Sequence, residues 1–155
     1  MRFWKSFGYA LQGLWFCLCH ERNMRVHTVI AAYVFGASVF FTWSAGEYAV
    51  LCLTVGFVLA MEAVNTALEQ TADTICKTRS PAVKIVKDAA AGAVLVAAMT
   101  SVAVAVFLFW EPEGFVRLYA FFAGAPWRLA GLAVSAAISG WYIVRGPGRR
   151  QTGRN

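Results

Sequence analysis

Charged residues are scarce in this chain, and their scarcity defines its class. Only 14% of the 155 residues are Asp, Glu, Lys or Arg, whereas 59% are hydrophobic and the mean hydropathy is +0.58. An ordinary soluble domain has about 25% charged residues, so the composition excludes that class. The length leaves room for one domain only. We therefore expect a small helical membrane protein.

The sequence also lacks the loops that usually bind nucleotides or activate nucleophiles. It has no G-x-x-x-x-G-K-[ST] segment, no kinase glycine loop and no nucleophile elbow, so any nucleotide chemistry must use an unusual site. The four cysteines are scattered, and C-x-C-H from Cys17 to His20 spreads its groups around a helix, unlike a zinc site. We interpret the thiols, His20 and His27 as packing residues. No small-residue cleavage site follows the apolar start, so we expect no signal peptide.

Four apolar runs are long enough to cross a bilayer, which takes about 20 helical residues. They lie at about residues 26–44, 48–73, 84–110 and 127–144. Before them, apolar residues recur at spacings of three and four: Phe3, Phe7, Leu11, Leu14 and Leu18. This pattern predicts an amphipathic surface helix over residues 1–24. The resulting prediction is an all-α membrane protein with a domain at 1–110 and an extension at 111–155.

The basic residues predict how the chain is oriented. Twelve of the 14 lie before the first span, between spans two and three, or after span four: Arg2, Lys5, Arg22, Arg25, Lys77, Arg79, Lys84, Lys87, Arg145, Arg149, Arg150 and Arg154. By the positive-inside rule these segments are cytoplasmic, as are both termini. The segments Ser44–Glu47 and Glu111–Arg117 then lie on the opposite side.

The second span carries a polar stripe in the segment EAVNTALEQTAD, residues 62–73. On a helix, Glu62, Asn65, Glu69 and Asp73 fall along one face. A charged side chain at the centre of a bilayer costs about 2.5–3.5 kcal/mol on insertion scales, so the stripe must face protein, water or a cation. A structural polar seam between helices is one interpretation, although Asn and Ser serve that role more often than repeated acids.

The chemistry of the stripe favours a magnesium-dependent kinase. Mg²⁺ takes oxygen ligands, commonly one or two carboxylates with substrate phosphates. The basic segment Lys77–Lys87 follows the stripe on the cytoplasmic side, where ATP is found. Glu62 is the acid nearest the hydrocarbon and could meet the hydroxyl of a lipid, which suggests a lipid kinase. A proton- or cation-handling membrane protein could also place acids there.

Three blocks of the sequence resemble the prokaryotic diacylglycerol kinase and undecaprenol kinase family of small membrane enzymes. The blocks are ERNMRVH at 21–27, EAVNTALEQTAD at 62–73 and KDAAAGAVLVAA at 87–98. An early pattern is similar as well, in Lys5, Ser6, Phe7, Ala10 and Gly13. The resemblance covers residues 2–110. It implies a homotrimer in the bacterial inner membrane, with active sites shared between subunits at the cytoplasmic face.

The resemblance also implies roles for single residues. Glu62 matches the catalytic base, and Glu21 and Glu69 match the acids that bind Mg²⁺ and ATP. Asn65 and Asp73 match polar positions of the active site. Further nucleotide-binding positions correspond to Lys87, Asp88, Tyr9 and Arg2, with the loop Thr78–Ser80 beside them.

Two features qualify the resemblance. The chain continues past the family region, and its predicted fourth span carries a stripe of small residues, Gly131, Ser135 and Ser139, suited to close helix packing. The forms ERN…H and KDAAAG look closer to the undecaprenol kinase branch than to the diacylglycerol branch. We therefore expect phosphorylation of undecaprenol, with diacylglycerol as the alternative.

Overall fold

The computed structural model describes residues 2–76 and 80–147, apart from the side chain of Arg2. This part of the chain contains six helices: α1 (Arg2–His20), α2 (Arg22–Ser38), α3 (Ala45–Ile75), α4 (Pro81–Leu108), α5 (Pro112–Ala123) and α6 (Pro126–Arg145). No strand occurs among the described residues. The all-α prediction is therefore confirmed.

Helix α1 leaves large apolar side chains exposed, including Phe3, Trp4 and Phe7. Such side chains suit the boundary between lipid and water. The helix ends at His20 rather than at residue 24, because the backbone of Glu21 is extended at φ −95° and ψ 120°. Glu21 is also the N-cap residue of α2, so a single residue separates the two helices.

Helix α2 is shorter than the predicted first span. It has 17 residues, about 25 Å at 1.5 Å per residue, and ends at Ser38 rather than at residue 44. The Ser38 hydroxyl donates to the carbonyl of Phe35 at 2.8 Å, and the chain then tightens into i→i+3 hydrogen bonds at Phe40 and Phe41. The predicted helical extent was therefore wrong, and a membrane crossing by α2 stays a prediction.

Helices α3 and α4 form the central antiparallel pair of the molecule. A capping box between Ser44 and Glu47 starts α3, with the Ser44 hydroxyl accepting from the Glu47 N–H and the Glu47 carboxylate accepting from the Ser44 N–H. Ala90, Val94 and Ala97 are the buried residues of α4. Within the described residues, α3, α4 and α6 are long and apolar enough to span a membrane.

The structure adds a helix that the sequence analysis missed. Residues Glu111–Arg117 were assigned to a connection, yet α5 begins at Pro112, a residue favoured at the first helical position, with Glu113 in the first turn. Gly114 lets α5 approach the ring of Phe41, since a Cβ there would overlap the ring. α5 therefore packs against the turn that follows α2.

Helix α6 returns along the structure and packs on α5 and α2. The hydroxyl of Tyr33 on α2 lies 3.0 Å from the Ser135 hydroxyl and 3.3 Å from that of Ser139. The predicted small-residue stripe thus contains two residues that contact Tyr33 on α2. The C-terminal end of α6 lies beside Arg25, close to the junction of α1 and α2.

Candidate active site

Glu62 is a carboxylate inside the helix bundle. It lies on the face of α3 that also buries Leu51 and Val58, and it is 1% exposed. Spacings of seven and four residues place these three on one side of a helix. The helical spacing that buries Leu51 and Val58 therefore also buries the Glu62 carboxylate. Thr66 is buried beside it, and its hydroxyl donates to the Glu62 carbonyl at 2.9 Å.

His27 faces this acid from α2. Its Nε2 lies 3.3 Å from Oε1 of Glu62. The separation suits an ion pair, but the angles do not complete a hydrogen bond, so Oε1 has no hydrogen-bond partner within the described chain. From the sequence, His27 is interpreted as a packing residue, and the structure shows that it also faces the Glu62 carboxylate. The signal was missed because the two residues lie on different helices and share no local pattern.

Asn65 and Glu69 continue the stripe along α3. The Asn65 side-chain amide donates to Oε1 of Glu69 at 3.1 Å. Its own Oδ1 is buried and has no hydrogen-bond partner among the described residues. A buried polar group left unpaired costs about 1–3 kcal/mol. Oδ1 is thus an open acceptor or ligand position beside a half-buried carboxylate.

Glu21 joins this group from the junction of α1 and α2. Its N–H donates to the carbonyl of Cys17 at 2.8 Å, which fixes its backbone at the end of α1. Glu21 and Glu69 both act electrostatically on Glu62. The structure therefore gathers three acids from two separate parts of the sequence. Repulsion among them favours a bound cation.

Asp73 departs from the buried stripe. It is exposed near the end of α3, and its Oδ1 pairs with Nζ of Lys87 on α4 at 2.5 Å. A surface pair of this kind contributes at most about 1 kcal/mol to stability. The pair does link two residues that the sequence analysis assigned to the site.

Within the described residues, the remaining predicted site residues form no hydrogen bond or ion pair with the acids around Glu62. Tyr9 on α1 and Asp88 on α4 are exposed, and within the described part of the chain they form no hydrogen bond or ion pair. The side chain of Arg2 lies outside the described residues, as do residues 77–79 and therefore most of the loop Thr78–Ser80. The roles of these residues stay predictions.

An apolar cavity of about 130 Å³ lies next to His27. It runs between α2, α3 and α4, with Val58 and Leu59 near the acid end and Leu108 among the lining residues. Among the described residues that line it, the polar side chains are those of His27, Thr54 and Ser101. The cavity therefore offers an apolar environment beside His27, the residue that faces the Glu62 carboxylate.

The acids fit a hard divalent cation that is shared with another ligand. Among residues 2–76 and 80–147, no group of three or more His, Cys, Asp or Glu side chains could hold a metal ion alone. Mg²⁺ usually takes one or two protein carboxylates together with phosphate oxygens and water. Glu21, Glu69 and the free Oδ1 of Asn65 are oxygen donors of that kind. The donor set fits Mg²⁺ bound jointly with phosphates.

The long apolar helices and the buried Glu62, with the half-buried Glu21 and Glu69 near it, are the features of a helical membrane protein with an acidic site. The chain belongs to the prokaryotic diacylglycerol kinase family, whose sequence profile matches residues 8–109. It is therefore a lipid kinase, as the three sequence blocks predicted. The match ends one residue after α4, so α5 and α6 lie beyond it.

Two relatives bear out this assignment. The undecaprenol kinase of Bacillus subtilis is 37% identical over 108 residues, which are 70% of this chain and 88% of that protein. The diacylglycerol kinase of Synechocystis sp. is 41% identical over 100 residues, or 64% of this chain. The second match spans 57% of the Synechocystis protein.

Proposed function

We propose that this protein transfers the γ-phosphoryl group of ATP to the hydroxyl of a membrane lipid, and that this lipid is undecaprenol. The observation that carries the proposal is the burial of Glu62, whose Oε1 has no hydrogen-bond partner among the described residues, near two further acids and beside His27, which lines an apolar cavity. Such a carboxylate can receive a hydroxyl proton from a substrate whose tail stays in apolar surroundings. Phosphoryl transfer needs chiefly positioning and charge neutralisation, so no phosphoenzyme is invoked.

Glu62 acts as the general base in this proposal. It orients the lipid hydroxyl through Oε1 and accepts its proton as the new O–P bond forms, while the bond between the γ-phosphorus and the β,γ-bridging oxygen of ATP breaks and ADP leaves. His27 stands 3.3 Å from the same oxygen and steadies the carboxylate. Asn65 holds Glu69 through its amide, which leaves Oδ1 directed to the incoming ligands.

Glu21 and Glu69 bind the nucleotide through Mg²⁺. When bound, Mg²⁺ neutralises phosphate charge and polarises the transferring group. Glu21 and Glu69 would hold Mg²⁺ and the phosphates near Glu62. Lys87 supplies a positive charge at the outer edge of the site. We also assign Asp88, Tyr9 and Arg2 to nucleotide contacts, and Asp73 to the polar active-site residues through its pair with Lys87.

The choice of lipid rests on the relatives and the sequence blocks. The Bacillus subtilis relative, of which this chain covers 88%, is an undecaprenol kinase. The Synechocystis relative has higher identity over a shorter segment and is a diacylglycerol kinase, which makes diacylglycerol the second candidate. Both lipids present a hydroxyl at the membrane surface.

We further propose a homotrimer in the bacterial inner membrane, with the active site and both termini cytoplasmic. Exposed apolar side chains on α3 and α4, such as Leu53, Phe57 and Leu95, leave surface for lipid or neighbouring subunits. The basic segments support the orientation. A reporter fused after Asn155 should read cytoplasmic, and an external signal would contradict a membrane crossing by α6.

The decisive experiment uses purified protein, labelled ATP and a panel of lipid alcohols. We expect Mg²⁺-dependent label transfer to undecaprenol at a higher kcat/KM than to diacylglycerol. A preference for diacylglycerol would move the assignment to the second candidate. Absence of lipid-dependent ATP consumption would reject the kinase proposal and favour a proton- or cation-handling protein.

A further inference from the structure

Arg25 is a buried cation bound to backbone carbonyls at two helix ends. It is 6% exposed. Its Nη1 donates to the carbonyls of Leu18 at 3.1 Å and Cys19 at 3.0 Å, both in the last turn of α1. Its Nε donates to the carbonyl of Ile143 at 3.1 Å, in the last turn of α6. Carbonyls in the last turn of a helix lack partners within that helix.

The charge of Arg25 is balanced by these helix ends. Within the described residues, no carboxylate pairs with it. Each helix C-terminus carries a partial negative charge, and a planar guanidinium can donate to several oxygens from one fixed fork. Arg25 therefore ties α1 and α6 to its own helix, α2.

Gly146 shows that the end of α6 is shaped to meet Arg25. Its φ is +58°, a backbone conformation that residues other than glycine rarely adopt. A Cβ at this position would also lie 2.8 Å from Nη1 and 2.9 Å from Cζ of Arg25. Backbone conformation and available space thus both require glycine where the chain leaves α6.

This clamp, defined as Arg25 with the carbonyls of Leu18, Cys19 and Ile143, surrounds the residue that joins α1 to α2. That residue is Glu21. The Arg25 N–H points back to the Glu21 carbonyl at 3.4 Å, while the Arg25 side chain grips the turn just before it. The angle between α1 and α2, and with it the place of Glu21 in the acid cluster, depends on the clamp.

We propose that Arg25 is a positioning residue that uses α6 to hold Glu21 in the nucleotide site. The inference rests on the proposed function only for the role of Glu21. The α6 half of the clamp lies beyond residues 8–109 that match the family, so the extension helps to shape the active site of this chain.

The test compares Gly146→Ala with Gly140→Ala, in protein whose Cys19, Cys52 and Cys76 are replaced by serine. A Cβ at Gly140, also on α6, meets open space. The buried thiol of Cys17 reports the junction, because its carbonyl accepts the Glu21 N–H. We expect Gly146→Ala to raise both the maleimide labelling rate of Cys17 and the KM for ATP about three- to tenfold, as for one weakened hydrogen bond. Its kcat should stay within about twofold, and Gly140→Ala should change neither value.

Arg25→Lys supplies a second variant that keeps the charge but loses the fork. It should shift labelling and KM in the same direction as Gly146→Ala. Unchanged Cys17 labelling in both variants would overturn the inference. So would increased labelling with an unchanged KM for ATP, or a fall in kcat alone, since these results describe a structural contact that does not position Glu21. Maleimide labelling of Cys17 needs no turnover, so it tests the clamp even in protein without lipid-dependent ATP use. Absence of that ATP use in wild-type protein would refute the proposed function instead.

Discussion

The carboxylates at the two ends of the helix bundle differ in their hydrogen bonding, although Nε of Arg128, near the Glu111 end, also lacks a hydrogen-bond partner among the described residues. At the end where α2 turns towards α3, the Glu111 carboxylate accepts hydrogen bonds from the Thr42 N–H and hydroxyl and from Arg117. The Trp43 indole N–H donates to the carbonyl of Leu108 at 2.8 Å. At the other end, Glu62 and Asn65 each keep a buried oxygen without a hydrogen-bond partner among the described residues.

This difference separates a structural end from a reactive end. Buried polar groups in native proteins are nearly always paired, and an unpaired one calls for a reason. The Glu111 network closes on itself and holds α5 to the turn after α2. The acid cluster around Glu62 stays open, as expected where a substrate hydroxyl and a cation complete the set. The predictions below test that division, starting at the reactive end.

Glu62→Gln should have the largest effect. Glutamine keeps the size of the side chain and most of its hydrogen bonding but cannot accept a proton. We expect kcat to fall by about 10²–10⁴-fold, the usual contribution of a general base. The KM for ATP and the assembly state should stay nearly unchanged, because Glu62 meets the lipid. Steady-state kinetics with labelled ATP and size-exclusion profiles measure these quantities.

The control is Glu113→Gln, which changes an exposed acid at the opposite end and should keep wild-type kinetics. Near-normal kcat in Glu62→Gln would reduce Glu62 to a structural residue. Loss of ATP binding in that variant would move it to the nucleotide site.

Glu69→Gln should come next, with an effect on metal and nucleotide together. Removing a metal-binding carboxylate should lower kcat/KM for ATP by roughly 10- to 100-fold and raise the Mg²⁺ concentration needed for half-maximal rate. The protein should still insert and assemble. Titration of activity with Mg²⁺ at several ATP concentrations measures this effect. Metal dependence equal to that of wild type in Glu69→Gln would contradict the assignment of Glu69 as a metal-binding acid.

The contrast between the ends also explains what the sequence could predict. The stripe Glu62, Asn65 and Glu69 was predictable because spacing along one helix is local. The contribution of His27 was not, because it depends on how α2 packs against α3. The same holds for Arg25, which the sequence analysis counted only as a basic residue of the first cytoplasmic segment, whereas its partners include a carbonyl on α6.

Errors in the fold had a similar origin. The predicted first span continued to residue 44 because Val39–Trp43 is mostly apolar, but those residues leave the helix. Phe41 and Trp43 form an aromatic cluster with Phe109 and Phe115. Tertiary packing thus overrides hydropathy there. Helix α5 was missed although Pro112 at its start is a helix signal.

Gly114→Leu tests the structural end directly. A Cβ at this position would overlap the Phe41 ring, so the larger side chain must separate α5 from the turn after α2. We expect a loss of about 1–3 kcal/mol in the free energy of unfolding, as for other overpacked sites. The kcat of the folded fraction should stay within about twofold of wild type, since the reactive end is distant.

Denaturant unfolding followed by circular dichroism measures the first quantity. Gly131→Leu is the matched control, because a Cβ there meets open space. Equal unfolding midpoints for the two variants would show that the contact between α5 and Phe41 contributes little to stability.

The smallest effect concerns pH at the structural end. The hydrogen bond from the Thr42 N–H, followed by that from Arg117, lowers the pKa of Glu111 below the ordinary glutamate value of 4.5. The folded state therefore favours the ionised carboxylate, and this stabilisation is fully present above about pH 4.5 and is lost as the pH falls through the lowered pKa. Glu111→Gln should flatten that part of the stability profile, because its amide does not titrate, whereas Glu113→Gln should leave the Glu111 contribution in place. Unfolding midpoints measured between about pH 3 and pH 7 make the comparison. If wild type and Glu111→Gln lost stability equally on acidification, the Glu111 network would not be what holds this end together, and the division between a closed structural end and an open reactive end would have to rest on the aromatic cluster alone.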